Sequence, residues 1–484
     1  MNRIFSPDGQ GWPEFPKVAY GRLDQTEPLV PAGASEAMFA FDVVDANWGE
    51  FGPSAQFDLS NAPRIATQQE QYWRRLFGKL GPGLPPDPYD SAPIYRIEVT
   101  SLPGDPYFDF LTQIKETDWV RIELDRIGSF EVDVYGGLFA APVQAHLQKI
   151  TIETASMSAL TVAFDMVTWP NAAETDIRSV LNGLSRLDYL VAYDIGQGSA
   201  NGLSDVHETA QLFFDLGCGV YGNRKTRPVP LRFCWRAAPP IVLSHWDSDH
   251  WAGETSDPAA AGRTWIAPRQ TIGPTHTAFA ARILSAGGTI HIWGAAPSTI
   301  TVHLASGQEL DLGRCSGSSR NGSGISCAVK DSVASRGWLL TGDAGYHELN
   351  QPGLPSDLRA VVVPHHGADM GTSSTPPTPP TGYTRLLYSF GPGNTHGRTH
   401  AQHPTWVGVN AHISRGWKHN HWLPATPATC VAGGDVLATA SHPGTHLDGA
   451  VAAWTGPPSV PFTTIPCAGV PAGLSGCTGQ IVQA

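Results

Sequence analysis

Five short apolar runs between residues 189 and 366 each lead into an aspartate or a histidine. They are Tyr189 to Tyr193 before Asp194, Leu212 to Phe214 before Asp215, Ile241 to Leu243 before His245, Trp338 to Leu340 before Asp343, and Val361 to Val363 before His365 and His366. Runs this short and this uniformly apolar read as strands buried on both faces, so the chain needs sheets covered by further layers. Ligand side chains delivered repeatedly at strand ends imply one shared site. The third run is the richest: Ser244-His245-Trp246-Asp247-Ser248-Asp249-His250 places four potential ligands, His245, Asp247, Asp249 and His250, within six residues. Imidazole nitrogens and carboxylate oxygens mixed at the mouth of a strand suit a divalent cation. A lone loop of this composition also makes a good helix cap, because Asp and Ser accept hydrogen bonds from free N–H groups. The four companion runs argue for the metal.

At 484 residues the chain exceeds one ordinary core, and two or more domains are expected. All but two of the 18 histidines, His146 and His207, lie between His245 and His446, which places the chemistry in the C-terminal part. Residues 1 to 178 read as a β-rich accessory domain with an interaction or scaffolding role, binding a protein partner. It contains an expected helix from Thr67 to Leu80 and expected strands at Tyr95 to Val99, Trp119 to Leu124, Phe130 to Val134 and Leu160 to Phe164, with a hairpin around Asp125 to Ser129. Residues 179 to 455 form the expected hydrolase domain, with a helix over Gln270 to Ala286, and 456 to 484 a Pro/Gly/Ala-rich tail.

No apolar run approaches the roughly 20 residues a membrane span requires, and the N-terminus lacks the apolar core of a signal peptide, so a cytoplasmic protein without membrane insertion is expected. Seven cysteines without a C-x-x-C pair make no zinc-finger pattern, and Cys218, Cys234, Cys315 and Cys327 read as small buried hydrophobes. A formal charge of −12 argues against a broad phosphate-binding surface. One basic stretch stands out, Arg224, Lys225, Arg227, Arg232 and Arg236. Arg224, Lys225 and Arg227 are the candidate substrate-binding residues.

In order along the chain, Tyr193-Asp194-Ile195-Gly196-Gln197-Gly198, Phe214-Asp215-Leu216-Gly217, the loop 244 to 250, Asn321 to Val329, Thr341-Gly342-Asp343, Pro364-His365-His366-Gly367, Ser389 to Asn394 and His403-Pro404 resemble the metallo-β-lactamase superfamily. Within it they resemble the soluble hydrolase domain of ComEC-type competence proteins. A closing hairpin, Asp435 to Thr439 with Gly449 to Val451, matches the end of that domain. The resemblance implies an α/β fold, an αββα sandwich with metals on one edge. It also implies a pair of divalent ions, Zn²⁺ or Mn²⁺, and a phosphodiesterase or nuclease acting on an anionic phosphodiester, nucleic acid among the candidates. Its ligand set would be His245, Asp247, Asp249, His250, Asp343 and His403, with Asp343 bridging. Asp249, His365 and His366 would take part in catalysis, while Asp215 and Asp194 would support the ligands from behind.

The chain departs from the family in two places. Asn321 to Ser326 offers no histidine where many members place their third motif, and Arg398 to Gln402 separates Gly397 from His403, which leaves His396, His400 and His403 as rival ligands. His403 is favoured. Two other readings stay open: hydrolysis of a non-nucleotide ester (a phosphocholine ester, lactone or thioester), and an interaction or sensing protein with a degenerate metal domain.

Overall fold

The computed structural model describes residues 1–28, 36–79, 86–351, 353–396, 402–419, 422–423, 426–427, 435–441, 445–446 and 449–456. His400 and the tail beyond 456 lie outside them. The chain divides into two compact units. The first gathers Met1–Pro170 with Gln270–Ile290 and the described Thr395 and His396, and the second gathers Asn171–Arg269, His291–Asn394 and the described residues from Gln402 onward.

The first unit holds a closed barrel of six strands: β1 (Val18–Pro28), β2 (Ala37–Asp45), β3 (Ile94–Ser101), β4 (Trp119–Asp125), β5 (Glu131–Tyr135) and β6 (Val143–Ile152), in the order β1-β2-β3-β5-β6-β4. Alternation puts Val120, Ile122 and Leu124 of β4 and Val132 and Val134 of β5 into one apolar core with Phe39, Phe41, Ile97 and Val99. The expected hairpin at Asp125 to Ser129 does not form. β4 and β5 both pair with β6, which lies between them. Leu160 to Phe164, expected as a strand, is the end of a helix, Met157–Phe164. Ala159, Leu160, Ala163 and Phe164 are its buried residues, a helical spacing that a five-residue apolar run conceals. The helix expected from Thr67 runs Ala62–Gly78, opened by the Asn61 side chain accepting from the Arg64 N–H.

The helix foreseen at Gln270 to Ala286 is Pro274–Ser285, and it belongs to the first unit. Buried charge holds it there. The Asp42 carboxylate of β2 accepts from the Thr275 backbone N–H at 2.9 Å and its hydroxyl at 2.6 Å. Arg22 of β1 donates to the Ile272 carbonyl at 2.9 Å and pairs with Asp165.

The second unit contains two seven-stranded sheets. One is β7 (Tyr189–Ala192), β8 (Ala200–Ser204), β9 (Ala210–Leu216), β10 (Ile241–Val242), β11 (Thr264–Pro268) and β12 (Thr289–Trp293), ordered β12-β11-β10-β9-β8-β7 and closed by Ala450–Ala453. The other is β13 (Thr299–His303), β14 (Gln308–Arg314), β15 (Ile325–Asp331), β16 (Arg336–Leu340), β17 (Asp357–Val362) and β18 (Arg385–Tyr388) in sequential order, closed by Val436–Ala438. Leu190, Leu212, Phe214 and Val242 of the first sheet share one hydrophobic cluster with Leu312, Cys327, Trp338 and Val362 of the second. The opposite face of β17 and β18 buries Val361, Leu386 and Tyr388 against Val409 and Trp417. These strands are covered on both sides.

Two expectations need correction here. The α/β class, an αββα sandwich, is overturned: strand exceeds helix, 29% against 22%, and the architecture is a closed six-stranded barrel plus two further sheets, so the chain is β-rich. The physical reason is where helix forms. Among the described residues no α-helix of the second unit exceeds the nine residues of Trp406–Ser414, and Pro274–Ser285 clusters with the other unit. The two arms of the expected closing hairpin do not pair with each other, and among the described residues only Ala440–Ser441 and Thr445–His446 between them pair antiparallel. Val436–Ala438 joins β18 in parallel while Ala450–Ala453 joins β7 antiparallel, so the two arms finish different sheets.

Cys218, Cys315 and Cys327 are buried free thiols, and burial pushes Cys218 up to about 12 and Cys315 up to about 11, as inert hydrophobes require. Cys234 differs from the expectation in being disulfide-bonded. Pairing depends on which residues the fold brings together, which spacing does not disclose. Among the described residues, no helix is long and apolar enough to cross a membrane.

Two buried histidines, His412 in the helix Trp406–Ser414 and His419 just beyond it, make stability depend on pH. His412 is buried, facing the Gly408 carbonyl at 2.8 Å and the Tyr346 hydroxyl at 2.9 Å, and burial pushes its pKa down to about 4. Burial does the same to His419. A histidine depressed on folding contributes stability that is present above its unfolded value near 6.5 and is lost as pH falls towards 4. Denaturant midpoints measured between pH 7 and pH 4.5 should therefore fall by the equivalent of about 2 kcal/mol per such group, and His412→Gln should flatten roughly half of that decline. An undiminished slope in the variant would place the acid sensitivity elsewhere.

Candidate metal centre

β10 lies between β9 and β11 in parallel register, and the ligand loop leaves its C-terminal end. Ser248–His250 make one tight 3-10 turn. The loop is pressed against neighbouring backbone: a Cβ on Gly217 or Gly198 would overlap the Asp249 carbonyl oxygen. That oxygen also accepts from the Ser199 N–H at 3.1 Å. The glycines in Asp-Ile-Gly-Gln-Gly and Phe-Asp-Leu-Gly are thus required by close approach.

Two overlapping groups of ligand atoms form. His245, His250 and Asp343 bring theirs within 4.8 Å of one another, as do Asp249, His250 and His366. Asp343, just after β16, sits at the centre. One of its oxygens is 3.3 Å from His250 Nε2, while the other is 3.7 Å from His245 Nε2, 3.7 Å from His365 Nε2 and 3.9 Å from His366 Nε2. Asp249 lies 3.3 Å from His366 Nε2. The Nε2 atoms of His245, His250 and His366 are buried without a hydrogen-bond partner. Buried polar atoms are almost always partnered, and three imidazole nitrogens aimed at shared carboxylates are a donor set that fits a divalent ion.

The far side of each ring is fixed. Asp215 accepts from the Ser244 N–H at 2.6 Å and from its hydroxyl at 2.8 Å, and the same carboxylate faces His250 Nδ1 at 2.9 Å. Ser244 Oγ also lies 3.0 Å from His245 Nδ1. The Ser389 carbonyl, an acceptor only, takes the proton of His366 Nδ1 at 2.9 Å. Each Nε2 is thereby left to face inward, where it can offer a lone pair once its proton is displaced. The backbone is strained where this happens, with φ of +62° at Asp215, +47° at His365 and +53° at His366.

Electrostatics point the same way. Burial alone disfavours the His250 cation, yet the carboxylates of Asp343, Asp215 and Asp249 outweigh it and raise its pKa well above the ordinary imidazole value. His366 is raised despite burial, by Asp343 and Asp249. Burial would raise Asp343, but His250, His365, His366 and His245 hold it well below the usual carboxylate range. Protons on histidine and divalent ions compete for this carboxylate cluster.

Among the predicted residues, His245, Asp249, His250, Asp343 and His366 converge, and Asp215 stands behind His250. Asp247 is divided: one oxygen is 3.4 Å from His245 Nε2 and the other is 3.1 Å from Arg320. His365 faces Asp343 but lies outside both ligand groups. His403 lies beside His365 with the rings tilted by 46° and their centroids 5.5 Å apart, and is in neither of these two groups. Asp194 is elsewhere, bonded to His446 at 2.7 Å. The basic stretch turns inward in part: Arg224 donates to the Tyr221 carbonyl and Arg227 to the Ser256 hydroxyl, while Lys225 is exposed. Sequence reasoning missed Ser244, Ser389 and Arg320. Ser244 was within reach, adjoining His245, whereas nothing local distinguishes Arg320.

No family model matches the chain, and no curated protein matches it.

Proposed function

We propose that the chain is a metal-dependent hydrolase of an anionic phosphodiester, holding Zn²⁺ or Mn²⁺ with His245, Asp249, His250, Asp343 and His366. The observation that carries this reading is the convergence of three buried, unpartnered Nε2 atoms on the Asp343 and Asp249 carboxylates. Bound divalent ions would supply positive charge that lowers the pKa of a water towards neutrality and steadies charge on the displaced oxygen. The chain's own residues do the rest. Asp215, Ser244 and the Ser389 carbonyl lock ring orientation and tautomer, so little reorganisation accompanies reaction. His365, partly open to solvent and with Nε2 facing Asp343, is placed to hand a proton to a leaving oxygen. The buried walls formed by Trp246 and Trp251 limit water around the ligand loop.

The phosphodiester preference comes from the ComEC-type resemblance. One observation favours the second reading, a small non-nucleotide ester such as a lactone: Arg224 and Arg227 are bonded within the fold, which weakens the case for a basic track along a nucleic acid. Chelator-treated protein reconstituted with Zn²⁺ or Mn²⁺ separates these readings when given bis(p-nitrophenyl) phosphate, single-stranded DNA and a lactone. Turnover of the phosphodiester that vanishes with chelator is expected. Turnover of the lactone alone overturns the phosphate assignment.

A further inference from the structure

The two groups of ligand atoms differ in their charged surroundings, and an arginine stands beside one of them. Among the described residues, Asp249, His250, His366 and Asp343 pair with one another, with neighbouring histidines and with Asp215, and none of them pairs with an arginine or lysine. Around His245 the second carboxylate, Asp247, gives one oxygen to Arg320 at 3.1 Å. Both side chains are buried, 2% exposed for Arg320 and 8% for Asp247. A buried guanidinium–carboxylate pair is costly to separate, because the carboxylate then loses a charge that compensates it. Arg320 also precedes the segment Asn321 to Ser326, which supplies no imidazole to this position.

We infer that the centre holds one divalent ion tightly, among Asp249, His250, His366 and Asp343, and that Arg320 sets the affinity for a second ion beside His245 and Asp247. An ion entering there has to draw Asp247 away from the guanidinium or share it. Occupancy of the second position then follows the free concentration of the metal, and Arg320 supplies positive charge on that side when the position is empty. This inference rests on the hydrolase reading in requiring a metal centre, and it goes further in fixing stoichiometry.

The test is calorimetric titration of the chelator-stripped full-length chain with Mn²⁺ and with Zn²⁺. The wild type should bind one equivalent tightly and a second at least tenfold more weakly. Arg320→Met keeps the apolar stem and removes the charge; it should tighten the second step at least tenfold and leave the first unchanged. Asp247→Asn should abolish the second step and spare the first, which keeps the proposal testable if the methionine variant does not fold. Two equally tight equivalents in the wild type, or a second step indifferent to both substitutions, overturns the role of Arg320 while leaving the hydrolase reading intact. No binding of either metal by the wild type removes both.

Discussion

Asp343→Asn should lower metal-dependent turnover on the order of 10³-fold while the far-ultraviolet circular dichroism stays that of the parent. The substitution keeps shape and volume, so the β16 end and its Thr341-Gly342 turn have no steric reason to move. What changes is charge at the centre of the constellation. The two Asp343 oxygens face His250 on one side and His245, His365 and His366 on the other. An amide offers one weaker oxygen and an NH₂ group that cannot bind a cation, and one of the two ligand groups loses its shared carboxylate. Metal retention after dialysis should fall together with turnover. A variant that keeps its metal and at least a tenth of the parent's activity would remove Asp343 from the centre.

Gly217→Ala should be the most damaging single methyl group in the second unit. Its Cβ would overlap the Asp249 carbonyl oxygen and crowd the Ser199 carbonyl, both backbone atoms that cannot rotate away. Either the loop bearing Asp249 and His250 shifts outward or β9 distorts. Overpacking of this kind costs about 3 kcal/mol, and the displaced ligands should lose activity beyond what lowered stability explains. Gly262→Ala is the matched control, since its nearest foreign atom would be 3.9 Å from the added carbon. Thermal midpoints and turnover of the two variants check this: the control should stay within experimental scatter of the parent while the Gly217 variant loses both. Equal behaviour would mean that the close approach at Asp249 is not required.

The site was more legible in the sequence than the fold. Strand ends concentrate ligands, and β-rich runs ending in Asp or His announce that arrangement directly, so His245, Asp249, His250, Asp343 and His366 could be named from their neighbours. Ser389 and Arg320 could not. Ser389 acts through its carbonyl, which every residue possesses, and Arg320 matters only because folding buries it against Asp247. In the barrel, β6 is not legible because its exposed and buried positions do not alternate cleanly. The affiliation of Pro274–Ser285 was illegible for another reason. An apolar helix shows that it will be buried, but the core that receives it is decided by Asp42 and Arg22, more than 200 positions upstream.

Anomalous diffraction at the zinc edge, from crystals of full-length protein reconstituted with Zn²⁺, asks the central question without reference to any substrate. The account requires the strongest peak to lie within coordination distance of Asp249, His250, His366 and Asp343. A map with no peak there, or with its strongest peak at another carboxylate–histidine cluster such as Asp24, Asp42 and His276, would contradict it.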